Sequence, residues 1–308
     1  MSPRAVVFGY HDVGDRCLRA LVSGGWDVPL LITHEADPTE KAWFADVGAT
    51  AAEYAIPVLR PTHAAQAGIE RTLNQLRPDF IFSLYYRSLI GDSVLKCARR
   101  AAFNMHGSLL PKYRGRAPVN WAIVQGELET GATLHHMVAK ADAGDIVDQQ
   151  AVPILRDDTA QDVMGKVTTA AEIVLVRSLP LLASGTAART PQPAGTAYFG
   201  RRTPEDGRIE WSWPAARIHN LVRAVAPPFP GAFTDISGQR WIIERTLLVP
   251  GRTEEDRRAH LFEENGACYI GCGDGGVLKL LAASTAGAPL DLNRLAQDLA
   301  AGRQPRYL

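Results

Sequence analysis

Short apolar runs alternate with helical patterns through the first half of the chain. Ala5 to Gly9 is a continuous apolar run that opens at Tyr10, His11 and Asp12, and Cys17, Leu18, Leu21 and Val22 follow at helical spacing. Val28 to Thr33 predicts a second buried strand, Lys41 to Tyr54 a helix, Pro57 to Leu59 a short strand, Ile69 to Leu76 a helix and Phe80 to Leu84 another strand. Ala101 to Phe103 begins a further strand. Its continuation Asn104, Met105, His106 sets the amide and the imidazole on one side and turns Met105 into the core. Thr133 to Val138 and Ile146 to Ile154 predict a hairpin joined by AKADAGD. Ala160 to Leu179 reads as a long amphipathic helix, apolar at Val163, Val167, Ala170, Ile173 and Val174, which Pro180 is expected to stop. The alternation of strand and helix argues for an α/β domain built on a parallel sheet with helices on both faces.

The pattern changes after this helix. Ser184 to Gly200 is rich in Gly, Ala, Thr and Pro with little apolar periodicity, and predicts a linker. Beyond it come a helix over Ala215 to Val225, the turn-rich APPFPGAF, strands over Arg240 to Leu248, Ala267 to Gly271 and Val277 to Leu281, and a closing helix over Leu290 to Ala301. Such short strands between Gly-rich turns predict a small barrel-like β domain. At 308 residues the chain exceeds what one core usually holds, so two domains are expected, 1–203 including a linker over 184–203, and 204–308.

Charge and cysteine usage narrow the classes of partner. Lys plus Arg and Asp plus Glu are balanced at 33 each, so no global field draws the protein to nucleic acid or to an anionic membrane. Cys17, Cys97, Cys268 and Cys272 are scattered without zinc-like spacing, which predicts buried thiols, a reducing compartment and no metal. The apolar run near the N-terminus is too short for a signal segment, and no stretch is expected to reach the ~20 apolar residues of a membrane span. A cytoplasmic protein without membrane insertion is expected. The first turn, GYHDVG, lacks the G-x-G-x-x-G pattern, and Asp15 and Arg16 stand where a P-loop carries Lys and Ser/Thr, so neither a dinucleotide nor ATP is supported.

Candidate chemistry gathers on Asn104, His106 and Asp142. An imidazole with an ordinary pKa near ~6.5 can move a proton at neutral pH, an amide can stabilise an oxyanion, and a carboxylate can raise the imidazole pKa. Asp142 joins the other two if the hairpin packs beside the His106 strand. This set suits attack by an amine on an acyl carbon, and the absence of a G-x-S-x-G context disfavours a covalent acyl-enzyme. Each residue also has a plain structural explanation: a satisfied strand histidine, an amide bonding a turn, a turn aspartate before Gly144. His135 and His136 cannot both face inward and are taken as structural, and His219 and Arg223, four apart on a helix, as solvent-exposed.

The stretches FNMHGSLLPKYRGRAPVNWAI and KADAGDIV, with FGRRTPEDGRIEW further on, resemble the formyltransferases that use 10-formyltetrahydrofolate, and the resemblance runs over nearly the whole chain. It implies a Rossmann-like catalytic domain followed by an OB-like β-barrel. It also implies His106 as general acid/base, Asn104 as oxyanion stabiliser and Asp142 as the group that raises the His106 pKa. The folate co-substrate would lie against Ser88, Leu89, Ile90, Arg116, Val138, Ala139, Lys140, Ala141 and Asp142. Within the family, HDVG, FSLYYRSLI and VNWAI most resemble the formyltransferase portion of the bifunctional enzymes acting on UDP-4-amino-4-deoxy-L-arabinose in lipid A modification and polymyxin resistance. The 308 residues match that transfer portion and not the decarboxylating dehydrogenase that accompanies it. The expected partners are a nucleotide sugar and a folate, with self-association left open; Tyr10, His11, Tyr113, Arg201 and Arg202 are candidate contacts for the sugar or its diphosphate. Alternatives are methionyl-tRNA or another nucleotide-linked amino sugar as acceptor, a hydrolase releasing formate, and a non-catalytic sensor.

Overall fold

The computed structural model describes residues 2–35, 43–61, 66–195, 197–303 and 307–308. The elements run β1 (Arg4–Gly9), α1 (His11–Ser23), β2 (Asp27–Ile32), α2 (Val47–Glu53), β3 (Val58–Leu59), α3 (Gln66–Leu76), β4 (Phe80–Leu84), α4 (Asp92–Leu95), β5 (Ala101–His106), β6 (Arg114–Gly115), α5 (Pro118–Val124), β7 (Glu129–His136), β8 (Ile146–Pro153), α6 (Ala160–Ser184) and β9 (Tyr198–Phe199). There follow α7 (Ala215–Val225), β10 (Ala232–Ile236), β11 (Gln239–Thr253), β12 (His260–Glu264), β13 (Ala267–Gly271), β14 (Gly276–Thr285), β15 (Ala288–Pro289) and α8 (Leu292–Ala300). Lys41 and Ala42, at the start of the helix expected over Lys41 to Tyr54, lie outside the described residues; the described part is helical only from Val47, where Asp46 caps the Gly48 N–H.

Two compact units emerge: residues 1–118, 129–153 and 165–200 form the first, and 119–128, 154–164 and 201–308 the second. The first is a seven-stranded sheet in the order β3-β2-β1-β4-β5-β7-β8. Strands β3 to β5 run parallel, while β7 is antiparallel to both β5 and β8. One face packs Val6, Phe8, Ile32, Ile81 and Ala102 with Ile69 and Leu73 of α3 and Val94 of α4. Alternation sends Phe80, Phe82 and Phe103 to the other face, where the Phe82 and Phe103 rings stack 5.6 Å apart. Because Gly9 pairs Leu84 and Leu84 pairs Met105, the chain leaves β1, β4 and β5 along one edge, at Tyr10, Tyr85 and His106. That carboxyl edge is where ligands bind in open α/β sheets.

The second unit is an antiparallel sheet in the order β10-β11-β14-β13-β12, with β15 on β14. Its core joins Ile218, Leu221 and Val222 of α7 to Ile243, Leu261, Ile270, Leu278 and Leu280, with Leu295 of α8.

Three expectations are corrected. Helix α6 continues through Pro180 to Ser184: the missing N–H orphans the carbonyl of Val176, a residue 53% exposed where water can serve it, while buried Leu179 and Leu182 hold the last turn. The same helix is long and apolar enough by length and composition to cross a membrane, with half of its most apolar window buried in the protein, as a core helix requires. His219 and Arg223 are buried, not solvated. Arg223 donates to the Leu155 and Asp158 carbonyls and to Asn220 Oδ1, so its charge is surrounded by acceptors.

Candidate active site

Strand β5 carries Asn104 and His106 on the face that also bears Ala102, while Met105 is buried behind them. The loop between β7 and β8 folds back over this face. It brings Asp142 Oδ1 to 3.4 Å from Asn104 Nδ2 and 3.6 Å from His106 Nδ1. Asp142 reaches there through a left-handed backbone (φ 53°), and its other oxygen accepts the Gly115 N–H at 2.9 Å. Gly144 allows the fold-back, since a methyl there would strike the His136 carbonyl.

The ring of His106 is 6% exposed, and its Nε2–H donates to the Tyr113 carbonyl at 2.9 Å. A left-handed Tyr113 (φ 57°) aims that carbonyl. One nitrogen is thereby committed, and in the neutral ring Nδ1 keeps the free lone pair, on the Asp142 side. Burial lowers the His106 pKa; Asp142 and the Tyr113 carbonyl oppose that shift without overcoming it. The charge of Asp142 pushes the His106 pKa up, and the net shift is nevertheless downward. Asp142 itself lies below the usual carboxylate range: burial would raise its pKa, but the charge of a protonated His106 and the Gly115 N–H outweigh that. At neutral pH the site holds an ionised Asp142 beside an unprotonated Nδ1.

The loop after His106 is tied at several points. Thr133 Oγ1 donates to the Ser108 carbonyl (2.6 Å) and accepts the Leu110 N–H (3.1 Å), Ser108 Oγ donates to the Lys112 carbonyl (2.6 Å), and Gln149 Nε2 donates to the Leu110 carbonyl (2.9 Å). Gly107 is a glycine for a steric reason: a methyl there would collide with Tyr85 Oη. Among the described residues that buried hydroxyl has no hydrogen-bond partner, and burial raises its pKa, so the phenol stays protonated.

Two contributors were not anticipated. His135, opposite Asn104 in the β5–β7 register, places Nε2 at 3.1 Å from Asn104 Nδ2 and 3.6 Å from Asp142 Oδ1. The register was the signal that could have found it. Gln192, inside the expected linker, donates to the Asp142 and Gly144 carbonyls (3.0 and 2.6 Å) and accepts from buried Arg114 (2.7 Å). The supposed linker also pairs β9 with β6, so it packs on the Asp142 loop as part of the first unit.

Of the other candidates, Ile90 packs on the core cluster that includes Ala102, and Leu89 is 75% and Val138 48% exposed. Ser88 and Ala141 are half-buried; Ala139, Lys140 and Arg116 are exposed, and the Arg116 N–H donates to the Phe199 carbonyl. Tyr10 lies in ring contact with His34 and Phe44, His11 stacks on Phe44 at 4.4 Å, and Tyr113 packs on Phe199. Arg201 and Arg202 belong to the second unit, where Arg202 lies over Trp121 at 4.6 Å.

Residues 4–179 match the formyl transferase family, and residues 201–298 match the formyl transferase C-terminal domain. The chain belongs to the formyl transferase family. Among solved structures, this formyl transferase is similar to the N-formyltransferase of Helicobacter canadensis in complex with folinic acid and dTDP-3-aminofucose. The two share 22% identity over 91% of this chain and 99% of that one, at a TM-score of 0.71. The sugar 3N-formyl transferase WlaRD, crystallised with dTDP and 5-N-formyl-THF, gives 20% identity over 93% and 98% of the chains and a TM-score of 0.69. The methionyl-tRNA formyltransferase of Clostridium thermocellum gives 14% identity over 82% and 96%, with a TM-score of 0.57. At these identities the likeness is one of fold.

Proposed function

We propose that the protein moves the formyl group of 10-formyltetrahydrofolate to the amine of a nucleotide-linked amino sugar, and that the acceptor is UDP-4-amino-4-deoxy-L-arabinose. The observation that carries the reaction is the unspent Nδ1 of His106 between Asn104 and an ionised Asp142. The amine lone pair attacks the formyl carbon, and Asn104 donates to the oxygen as it becomes an oxyanion. His106 Nδ1 takes the proton that the amine sheds, and Asp142 at 3.6 Å stabilises the imidazolium so formed. Collapse breaks the bond from carbon to N10 of the folate, which leaves with a proton returned from His106. The products are a formamido sugar and tetrahydrofolate.

The amino-sugar class is supported by the two neighbours that bind dTDP or a dTDP amino sugar. The arabinose derivative rests on the likeness of FSLYYRSLI and KYRGRAPVNWAI to the corresponding enzymes. The folate is assigned to the segment from Ser88 to Ile90, to Arg116 and to the loop from Val138 to Asp142, where exposed Leu89 and Val138 offer apolar surface to a ring system. The test is a mass-resolved turnover assay with 10-formyltetrahydrofolate and, in parallel, UDP-4-amino-4-deoxy-L-arabinose, a dTDP-4-amino sugar and methionyl-tRNA. A formamido product from the UDP sugar is expected. Product from another acceptor alone would overturn the substrate, and formate release without any acceptor would overturn the transfer.

A further inference from the structure

We propose that His135 is a positioning residue for the transfer: its neutral ring holds the Asn104 amide with nitrogen toward Asp142, so that a hydrogen is offered to the developing oxyanion. This rests on the role given to Asn104 above. The β5–β7 register makes Asn104 and His135 direct cross-strand neighbours, and His135 is 1% exposed, so its ring cannot turn to solvent. Its Nδ1 lies 2.9 Å from the His136 carbonyl, which can only accept; Nδ1 therefore carries the proton. In the neutral ring that leaves a bare lone pair on Nε2, 3.1 Å from Asn104 Nδ2.

The amide has two orientations, and only one has hydrogens where they are needed. With nitrogen inward, Nδ2 lies 3.1 Å from His135 Nε2 and 3.4 Å from Asp142 Oδ1, and we assign one N–H to be shared by these two acceptors, which leaves the second for the oxyanion. With oxygen inward, three acceptors would face one another in a buried space without a hydrogen between them. The rival arrangement, a protonated Nε2 aimed at Asp142, needs the 3.6 Å contact to win over the 3.1 Å one and sets N–H against N–H at Asn104. The 3.1 Å contact to Asn104 is the shorter of the two, and the assignment rests on it.

The experiment pairs kinetics with a signature that needs no turnover. Wild type, His135→Phe, His135→Gln, Asn104→Ala and the Phe/Ala double variant are assayed with 10-formyltetrahydrofolate and whichever amino-sugar nucleotide the wild type accepts. Phe keeps a ring without an acceptor, and should lower kcat about 30-fold while both KM values stay within about threefold, because the lost contact acts in the transition state. Gln restores a carbonyl acceptor and should return to within about tenfold of wild type. Added to Asn104→Ala, the Phe substitution should cost less than about twofold. Wild-type kcat in His135→Phe, or a full additional loss in the double variant, would overturn the proposal. If the Phe variant does not fold, His135→Met takes its place. Independently, 15N NMR of the substrate-free wild type should show His135 as the neutral ring protonated at Nδ1; a ring protonated at Nε2 or at both nitrogens would overturn the proposal. A wild type that formylates no amine would instead sink the proposed function, with the NMR result still deciding His135.

Discussion

Each unit of the molecule buries a histidine beside a carboxylate, and burial lowers the pKa of both. His106 in the first unit is 6% exposed and His219 in the second is 4% exposed. Their nitrogens differ. His219 donates from Nε2 to the Arg156 carbonyl (3.2 Å) and accepts at Nδ1 from Thr246 Oγ1 (3.0 Å), while Asp157, its carboxylate neighbour, is 47% exposed. His106 spends only Nε2, on Tyr113, and keeps Nδ1 beside an Asp142 side chain that is 13% exposed. Burial and a nearby carboxylate therefore leave the two histidines alike; an uncommitted nitrogen facing a buried anion sets His106 apart, and the proposed role rests on it.

The comparison can be broken most severely at His106. His106→Ala should retain the fold and lose about 1,000-fold in kcat, within the usual span for removing a general acid/base; formation of formamido product by the purified variant checks this. Next is Asn104→Ala, expected to cost about 100-fold in kcat with little change in either KM, as for loss of an oxyanion donor. Asp142→Asn should follow, at about 10- to 100-fold. It also carries a pH signature. The proposed transfer needs Nδ1 unprotonated, so kcat/KM should fall with decreasing pH at a midpoint below the ordinary imidazole value of ~6.5. Asp142 raises that midpoint by its charge, so the Asn variant should shift the acid limb to lower pH; a shift to higher pH would contradict the electrostatics. The smallest effect on turnover belongs to His219→Ala. It should lower unfolding stability by about 1–3 kcal/mol through the hydrogen bonds it abandons, with kcat per folded molecule unchanged, and denaturant titration beside the assay separates the two.

The strands, the helices and the Asn104–His106 pair were legible in the sequence, and the other half of the contrast was not, for identifiable reasons. The strands Phe80–Leu84 and Ala267–Gly271 and the helix Ala215–Val225 stand where periodicity predicts them, because each is a local apolar pattern with clear ends. Asn104 and His106 share a face by alternation alone. Asp142 needed the loop to fold back, which depends on Gly144, on the left-handed φ of Asp142 and on Gln192 fifty residues onward. Composition marked the Gln192 segment as a linker because its contacts are polar and long-range, and such contacts leave no periodic trace. The same holds for His135, whose role depends on strand register, and for His219 and Arg223, whose partners lie in the chain near Arg156. Helix α6 passes its proline because buried Leu179 and Leu182, on either side of it, outweigh one missing hydrogen bond.

The most direct test of the account is single-turnover formation of the formamido sugar by wild type, His106→Asn and His219→Asn, each at matched folded concentration. The account predicts wild-type rates for His219→Asn and a loss of about 1,000-fold for His106→Asn. Comparable rates for the two variants, whether both intact or both lost, would contradict it.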